Sequence, residues 1–411
     1  MRPFEKRSSG VVQAIGRCAI ALGSMNAASL PAQLAAQNYL NADSAAALIL
    51  GSADGQSEYL FDGITGIIRV GDGRFVVGNC GTGEIRLYSE SGQHLRTTGR
   101  VGEGPGEFSQ VARLFRAGGD TIAIWDRSLR RLTLLDSELN AERSFSVHQR
   151  IEPRGRLPGG AFIGTITAIP RDLSFDPDGQ LIRRPVVLVA FDEAGTVDSI
   201  AQLPGHESWV WGRGSSMGHS AYRSTSLAVI GARLAVGSQD STVYTILEPT
   251  GEATEHIRTI TAPLAVTSAM RDEYAELLAT AGPTQEAADR MRTNELSREW
   301  PPTLPAYGTF YADIDGGLWV QDPFRVGVHP TRWTRYENGT AEAQVTLPPR
   351  FWPLDFGRRW VIGVSLDDMG VQRVTRFELT SSDGPSTPTP YDSSAAFTPQ
   401  GSRAGCFLPT G

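Results

Sequence analysis

Two series of short apolar segments recur in phase six times along the chain, and this repeat limits the possible folds more than any other feature. In the first series, a turn rich in glycine or polar residues precedes a short apolar run. These runs cover residues 74–78, 121–125, 161–164, 233–237, 318–320 and 360–363. Short continuous apolar runs between turn signals are typical of strands that are buried on both faces. We therefore predict an all-β chain.

The second series supplies another strand after each of the first. Its members cover residues 85–88, 132–136, 186–191, 243–247, 333–336 and 374–379, and each is followed by a turn that contains glycine or asparagine. These residues tolerate the positive φ angles of tight hairpins. A unit of four strands and about 40 to 55 residues matches the blade of a β-propeller.

The ends of the repeat predict how such a ring would close. The sixth unit ends after its third strand, and a spare strand is predicted at residues 57–61, just before the first unit. Pairing this N-terminal strand with the last blade would remove an exposed sheet edge. We therefore predict a six-bladed β-propeller over residues 57–384. A pair of β-sandwiches, the alternative, needs neither the spare strand nor the six-fold phase.

The first 36 residues resemble an export leader. Arg2, Lys6 and Arg7 precede an apolar stretch at residues 11–22, and small residues that suit cleavage follow. Arg17 interrupts the apolar stretch, so a disordered cytoplasmic tail is the alternative. No later run is long and apolar enough to span a bilayer. We expect a periplasmic or secreted protein.

Residues 37–56 are predicted to be a linker, and the Ser-, Thr-, Pro- and Gly-rich residues 385–411 a low-complexity tail. Cys80 and Cys406 remain in the mature chain. An exported protein could pair them, but two free or buried thiols are the interpretation we favour from the sequence. We expect a monomer.

One segment departs from the strand pattern. Between the predicted fourth and fifth blades, residues 267–300 carry apolar side chains at helical spacing, among them Met270, Tyr274 and Leu277. Pro283 is a favourable first residue for a second helix. The segment is predicted to be a helical hairpin, either a clamp on the rim or a lid over the channel.

One blade carries a recognisable motif. Residues 99–108 form a glycine-rich loop that ends in Gly-Glu-Phe, and residues 120–126 form a strand that ends in aspartate. This pattern resembles the NHL-repeat group and the related bacterial six-bladed propeller proteins, although the proline expected after Phe108 is missing. The resemblance implies the fold and no single function, because such propellers include both binding modules and enzymes.

The densest group of functional side chains is predicted in the loop at residues 204–222. Its candidate ligand-binding residues are His206, Glu207, Trp209, Trp211, Arg213, His219 and Tyr222. Aromatic walls beside charged groups suit a sugar, a peptide or an aromatic ligand. Alternatively, a tryptophan fills the gap between two blades. If the helical hairpin lies over the same face, it would share this pocket.

Four polar residues follow second strands and should lie at the mouth of the channel. They are Asn79, Asp126, Asp240 and Asp322. In one interpretation they cap turns by bonding to nearby backbone. In the other they hold a divalent cation such as calcium together with His219, as in an enzyme.

Composition and motifs exclude several functions. The net charge is −7 and no run of basic residues exceeds two, which argues against nucleic-acid binding. No pair of histidines has zinc-ligand spacing, and residues 176–179 lack the distal glutamate of a calcium loop. We therefore expect a propeller that binds a small molecule, peptide or protein at its channel face, without a confident cofactor. A metal-dependent hydrolase or lyase of the lactonase or amidating-lyase kind is the alternative.

Overall fold

The computed structural model describes residues 38–42, 45–148, 150–168, 179–212, 215–259, 262–280, 282–327, 331–382, 384 and 406. The predicted leader lies outside the described residues, as does the predicted tail apart from residue 406. Arg213 and residues 176–178 of the calcium-loop look-alike also lie outside them.

The N-terminal segment differs from its prediction. Residues 37–56, predicted as a linker, contain strands β1 (Asn38–Ala42) and β2 (Leu48–Leu50). The predicted closing strand at residues 57–61 is wrong, because Ser57–Tyr59 form a 3-10 helix. The backbone oxygen of Glu58 accepts hydrogen bonds from the side chains of Arg86 and Tyr88. This segment therefore docks on the first sheet through side-chain donors and has no strand partner.

Four antiparallel sheets follow in chain order. The first contains β3 (Ile64–Arg69), β4 (Phe75–Asn79), β5 (Glu84–Tyr88) and β6 (His94–Thr98). The second contains β7 (Val111–Arg116), β8 (Ile122–Asp126), β9 (Arg131–Leu135) and β10 (Ala141–Ser146). The third contains β11 (Glu152–Arg156), β12 (Phe162–Thr167), β13 (Gln180–Phe191), β14 (Val197–Trp211) and β15 (Ser215–Met217). The fourth contains β16 (Ser226–Ile230), β17 (Arg233–Gly237), β18 (Val243–Leu247) and β19 (Ala253–Arg258).

Two helices come next, α1 (Ser268–Ala279) and α2 (Gln285–Leu296). Each begins after a threonine, Thr267 or Thr284, whose side chain accepts a hydrogen bond from a backbone N–H of the first turn. Such caps satisfy donors that have no partner inside the helix. In the described part of the chain, no helix has the length and hydropathy needed to cross a membrane.

The remaining strands form one nine-stranded sheet with β1 and β2. They are β20 (Phe310–Ala312), β21 (Leu318–Gln321), β22 (Arg332–Glu337), β23 (Thr340–Thr346), β24 (Phe351–Phe356), β25 (Trp360–Leu366) and β26 (Gln372–Ser382). Strand β1 lies between β23, to which it is parallel, and β26. Strand β2 pairs with Val374–Arg376 of β26 and so supplies the fourth strand beside β24, β25 and β26.

The first strands of these arrays lie side by side in the order β3, β7, β11, β16, β20 and β24, and β24 in turn lies against β3. Apolar cores fill the spaces between successive arrays. Across them pack Val76 with Ile124, Trp125 with Phe162, Ile163 with Leu234, Tyr244 with Phe310, Trp319 with Phe356, and Val364 with Phe75. The fold is therefore all-β and propeller-like. Both predicted series of strands are present.

A disulfide joins Cys80 to Cys406, with 5.6 Å between the two Cα atoms. Both residues are buried in the apolar core between the first two sheets. The expectation of two free or buried thiols is therefore wrong. The sequence separation is 326 residues, so only the folded chain reveals that these residues meet.

Strand β2 provides a test of how the last array is completed. Leu48 and Leu50 pack on the core between the last and first arrays, whereas Ile49 is 58% exposed. We expect Leu48→Ala or Leu50→Ala to lower the free energy of unfolding by about 2 kcal/mol each, because apolar burial is lost. The matched control Ile49→Ala should cost less than about 1 kcal/mol. Urea denaturation measures both, and equal effects would contradict the assignment of β2.

The disulfide is tested by breaking it. Cys80→Ser should lower the free energy of unfolding by about 2 to 5 kcal/mol, because the disulfide restricts the unfolded chain. A peptide map of the unreduced protein should contain one linked fragment with residues 80 and 406. Alkylation of both cysteines without prior reduction would show that the bond is absent.

Candidate functional site

The predicted ligand loop is largely regular strand. Its first half belongs to β14, where side chains alternate between faces. Glu207 is 2% exposed and accepts hydrogen bonds from Arg223 at 2.7 Å (backbone N–H) and 2.8 Å (Nε). Arg223 also lies 3.0 Å from Asp240. The charge of Glu207 is therefore used to hold two chain segments together. His206 lies on the opposite face of β14 and is exposed.

The two tryptophans share one face of β14 with Glu207. The ring of Trp209 packs on Gly179, where any Cβ atom would come within 2.3 Å of the ring. Gly179 has a φ of +104°, so it tolerates both this approach and its backbone conformation. Trp211 is opposite Ser215 in the β14–β15 hairpin. Trp209 thus packs against backbone in the described structure.

His219 lies in a compact cluster with the helices. Its Nδ1 accepts a hydrogen bond from the backbone N–H of Ala221 at 2.9 Å, so the neutral ring carries its proton on Nε2. That Nε2 lies 3.1 Å from Oε1 of Glu295. The rings of Tyr274 and Trp300 lie 4.8 Å from the imidazole, centroid to centroid. Sequence reasoning missed these three partners, because they are distant in the chain.

Glu295, from α2, is the centre of this cluster and is 1% exposed. It accepts hydrogen bonds from Trp300 Nε1 at 2.9 Å and from Arg298 at 2.8 Å. Burial alone opposes its ionisation, but the contact with His219, the Trp300 hydrogen bond and the Arg298 charge outweigh burial and lower the pKa of Glu295. The carboxylate is therefore ionised and fully engaged.

Tyr222 completes the contact between the loop and the helices. Its hydroxyl donates to the backbone oxygen of Glu299 at 3.1 Å, and burial raises the pKa of Tyr222. The hairpin therefore contacts the end of the predicted ligand loop. The two pack together through a polar and aromatic core that includes Tyr274, Trp300 and Phe324.

Two of the predicted channel-mouth residues bond to backbone. The Oδ1 of Asn79 accepts a hydrogen bond from the N–H of Asp62 at 2.7 Å. Asp126 accepts from the N–H of Ser109 at 2.6 Å and from that of Leu129 at 2.9 Å. This arrangement fits the interpretation that these residues cap turns.

The other two form ion pairs. Asp240 lies 2.6 Å from Arg183, and Asp322 lies 2.6 Å from Arg332. Burial raises the pKa of Asp322, while the Arg332 charge acts in the opposite direction. Within the described ranges, no group of three or more His, Cys, Asp or Glu side chains is arranged to hold a metal ion. The predicted cation ligands are therefore dispersed.

Charge without a carboxylate partner lies on the inner ring of strands. Arg113 on β7 and Arg154 on β11 are both partly exposed. Neither guanidinium forms an ion pair with any residue that the structure describes. These residues were not predicted, because the sequence does not show which arginines of a strand find a carboxylate partner in the fold.

No family model and no curated protein matches the sequence. Several solved structures resemble the fold. A member of the DUF4221 family from Bacteroides vulgatus is 12% identical, with 84% of this chain and 99% of that chain covered and a TM-score of 0.49. A predicted exported protein from Bacteroides fragilis is 10% identical, with 84% and 99% covered and a TM-score of 0.46. Virginiamycin B lyase from Staphylococcus aureus is 9% identical, with 80% and 98% covered and a TM-score of 0.39. Neither a family nor a function follows from similarities of this size.

The Glu295 cluster predicts how the helices respond to acid. Because the folded state lowers the pKa of Glu295 from its ordinary 4.5, its contribution to stability is complete above that value. The contribution is lost as the pH falls through the lowered pKa. Glu295→Gln should cost about 2 to 3 kcal/mol and remove this acid sensitivity.

Hydrogen exchange of the α1 and α2 amides, measured against pH, tests this expectation. Glu286→Gln is the matched control, since Glu286 lies on the same helix with an 82% exposed side chain. Unchanged helix protection in Glu295→Gln would show that the cluster does not hold the hairpin.

Proposed function

We propose that this protein is an exported six-bladed β-propeller that binds a ligand at its central channel and does not catalyse a reaction there. In this proposal, each array of four or five strands is a blade, and β2 completes the sixth. The α1–α2 hairpin is an insertion between the fourth and fifth blades. The cyclic order of the inner strands and of the interblade cores supports this arrangement.

Export is supported by two independent features. The first 36 residues have the basic start and apolar stretch of a leader. The buried Cys80–Cys406 disulfide would persist in an oxidising compartment such as the periplasm or the cell exterior. Nothing comparable supports the alternative of a cytoplasmic tail.

The observation that supports the binding role is the contrast between acidic residues that have partners in the fold and two arginines that have no ion pair in the described structure. The acidic residues expected to hold a metal are bonded to backbone amides or to arginines. Uncommitted charge is found instead on the inner strands, at Arg113 and Arg154. Groups that point into a channel without structural partners are typical of a site that receives a ligand.

The occupant of the channel is a small molecule or a short peptide in this proposal. A protein partner would contact the loops of the channel face, where His206 is exposed. The hydrolase or lyase alternative requires a divalent cation held by Asn79, Asp126, Asp240, Asp322 or His219. Each of these side chains would first have to give up the bonds described above.

The binding role is tested against the enzymatic alternative on protein purified from its native cell. We expect no stoichiometric divalent metal and no change in melting temperature after chelation. In a thermal-shift screen of neutral and charged compounds, a ligand at about 100 times its Kd should stabilise the protein by about 2.7 kcal/mol. Stoichiometric metal, together with lactone or ester turnover that chelation abolishes, would instead establish the metal-dependent enzyme.

A further inference from the structure

We propose that Arg113 and Arg154 bind the anionic group of a small ligand, a carboxylate or a phosphate. This inference rests on the proposed role of the channel as the binding site. It adds the chemical class of the ligand and the residues that recognise it.

The two arginines lie on neighbouring inner strands. Strands β7 and β11 are neighbours in the inner ring. Each has a bulge at the relevant position, between Val111 and Arg113 in β7 and between Pro153 and Gly155 in β11. A bulge leaves one residue outside the regular pairing and redirects side chains, and bulges are common next to binding sites. Arg154 is the unpaired residue of its bulge.

Other arginines on the same strands show what a structural role looks like. Arg116, on β7, forms a two-pronged ion pair with Asp355 at 2.6 and 2.9 Å. Arg156, on β11, donates to the backbone oxygens of Ala117 at 2.7 Å and Gly160 at 3.0 Å. By contrast, among the residues that the structure describes, the Nε of Arg154 has a single long contact, 3.4 Å from Thr165 Oγ1.

Glu152 is the carboxylate whose charge acts on both Arg113 and Arg154, but it is already bonded to other groups. Glu152 lies 2.9 Å from Arg130 and 3.3 Å from Arg127, and it accepts a hydrogen bond from Trp125 Nε1 at 3.1 Å. Its negative charge is thus shared among other cations. The two inner-strand guanidinium groups therefore carry net positive charge that the described structure does not balance.

Burial lowers the pKa of both guanidinium groups, as it does for charges without an ion-pair partner. For Arg154, burial together with the Arg113 charge lowers the pKa to about 9. Arginine keeps its charge at neutral pH in proteins, so an incoming anion would be attracted.

The geometry of arginine narrows the ligand class. The planar guanidinium donates two parallel hydrogen bonds to a carboxylate or a phosphate, and two such groups suit an anion with several oxygen atoms. The chain as a whole has a net charge of −7, which disfavours long polyanions such as nucleic acids. A small organic anion is the ligand class that fits both facts.

Citrate and inorganic phosphate are the probes, each compared with sodium chloride at equal ionic strength. Isothermal titration calorimetry and melting temperature are measured for the full mature chain. We expect wild type to bind at least one probe, Arg113→Gln or Arg154→Gln to weaken binding at least about ten-fold, and the double variant not to bind. Arg154→Lys keeps the positive charge but loses the planar guanidinium that donates two parallel hydrogen bonds. We therefore expect a smaller loss of affinity than in Arg154→Gln.

Arg143→Gln is the matched control. It removes the same charge from the outer strand β10 of the same sheet as β7, where Arg143 is 51% exposed, and it should bind as wild type does. Without a probe, the melting temperature of Arg154→Gln should not fall, because the charge removed forms no ion pair with the residues that the structure describes. A structural arginine would give the opposite result.

Two results would overturn the inference. One is the absence of any calorimetric or thermal response of wild type to both probes. The other is undiminished binding by the single variants, which can be measured even where the double variant does not fold. Binding of a neutral compound in the screen, without response to either anion, would overturn the anion site and leave the channel-binding role intact. Chelation-sensitive turnover would instead remove the proposed function itself.

Discussion

The ring depends on one ion pair at its seam. Asp355 of β24 is 4% exposed, and both of its oxygens accept hydrogen bonds from Arg116 of β7. Asp355 also accepts from the N–H of Arg69 at 2.8 Å, and Arg116 donates to the backbone oxygen of Arg69 at 2.9 Å. Three inner strands, β24, β3 and β7, are thereby joined across a sequence distance of 239 residues. A buried carboxylate with this many donors is stable, whereas loss of one partner would leave an uncompensated charge.

Other long-range links join neighbouring arrays. Strand β2 from the N-terminal end covers β26, and β1 joins β26 to β23. The disulfide attaches residue 406 to the end of β4 in the first sheet. An array of similar sheets leaves an open edge at each end, and edges invite pairing with other chains. Strand β2 therefore covers β26, the open edge of the last array. Strand β1 joins that array to the one before it, and the disulfide lies in the core between the first two sheets.

Local patterns predicted the parts of the fold that local physics determines. Second and third strands are buried on both faces, so their apolar runs were visible in the sequence. The closing strand was misplaced, because Tyr59 and Phe61 give residues 57–61 a strand-like composition while β2 has only three residues. What decided between them was the pair of side-chain donors Arg86 and Tyr88, which no local pattern reveals. The disulfide and the pairing of His219 with Glu295 likewise depend on residues that only the fold brings together.

The loop side chains that look functional in the sequence have structural partners in the fold. Tryptophan, histidine and glutamate in a loop look functional in sequence, yet here Glu207, Trp209 and His219 are held by neighbours. An arginine in an apolar strand suggests a structural role. Arg335 has such a role, because Asp313 and Glu337 each lie 2.6 Å from it. Among the residues that the structure describes, Arg113 and Arg154 lack such partners. An unpaired charge in an apolar setting lowers stability, and the bound anion proposed above would compensate for it.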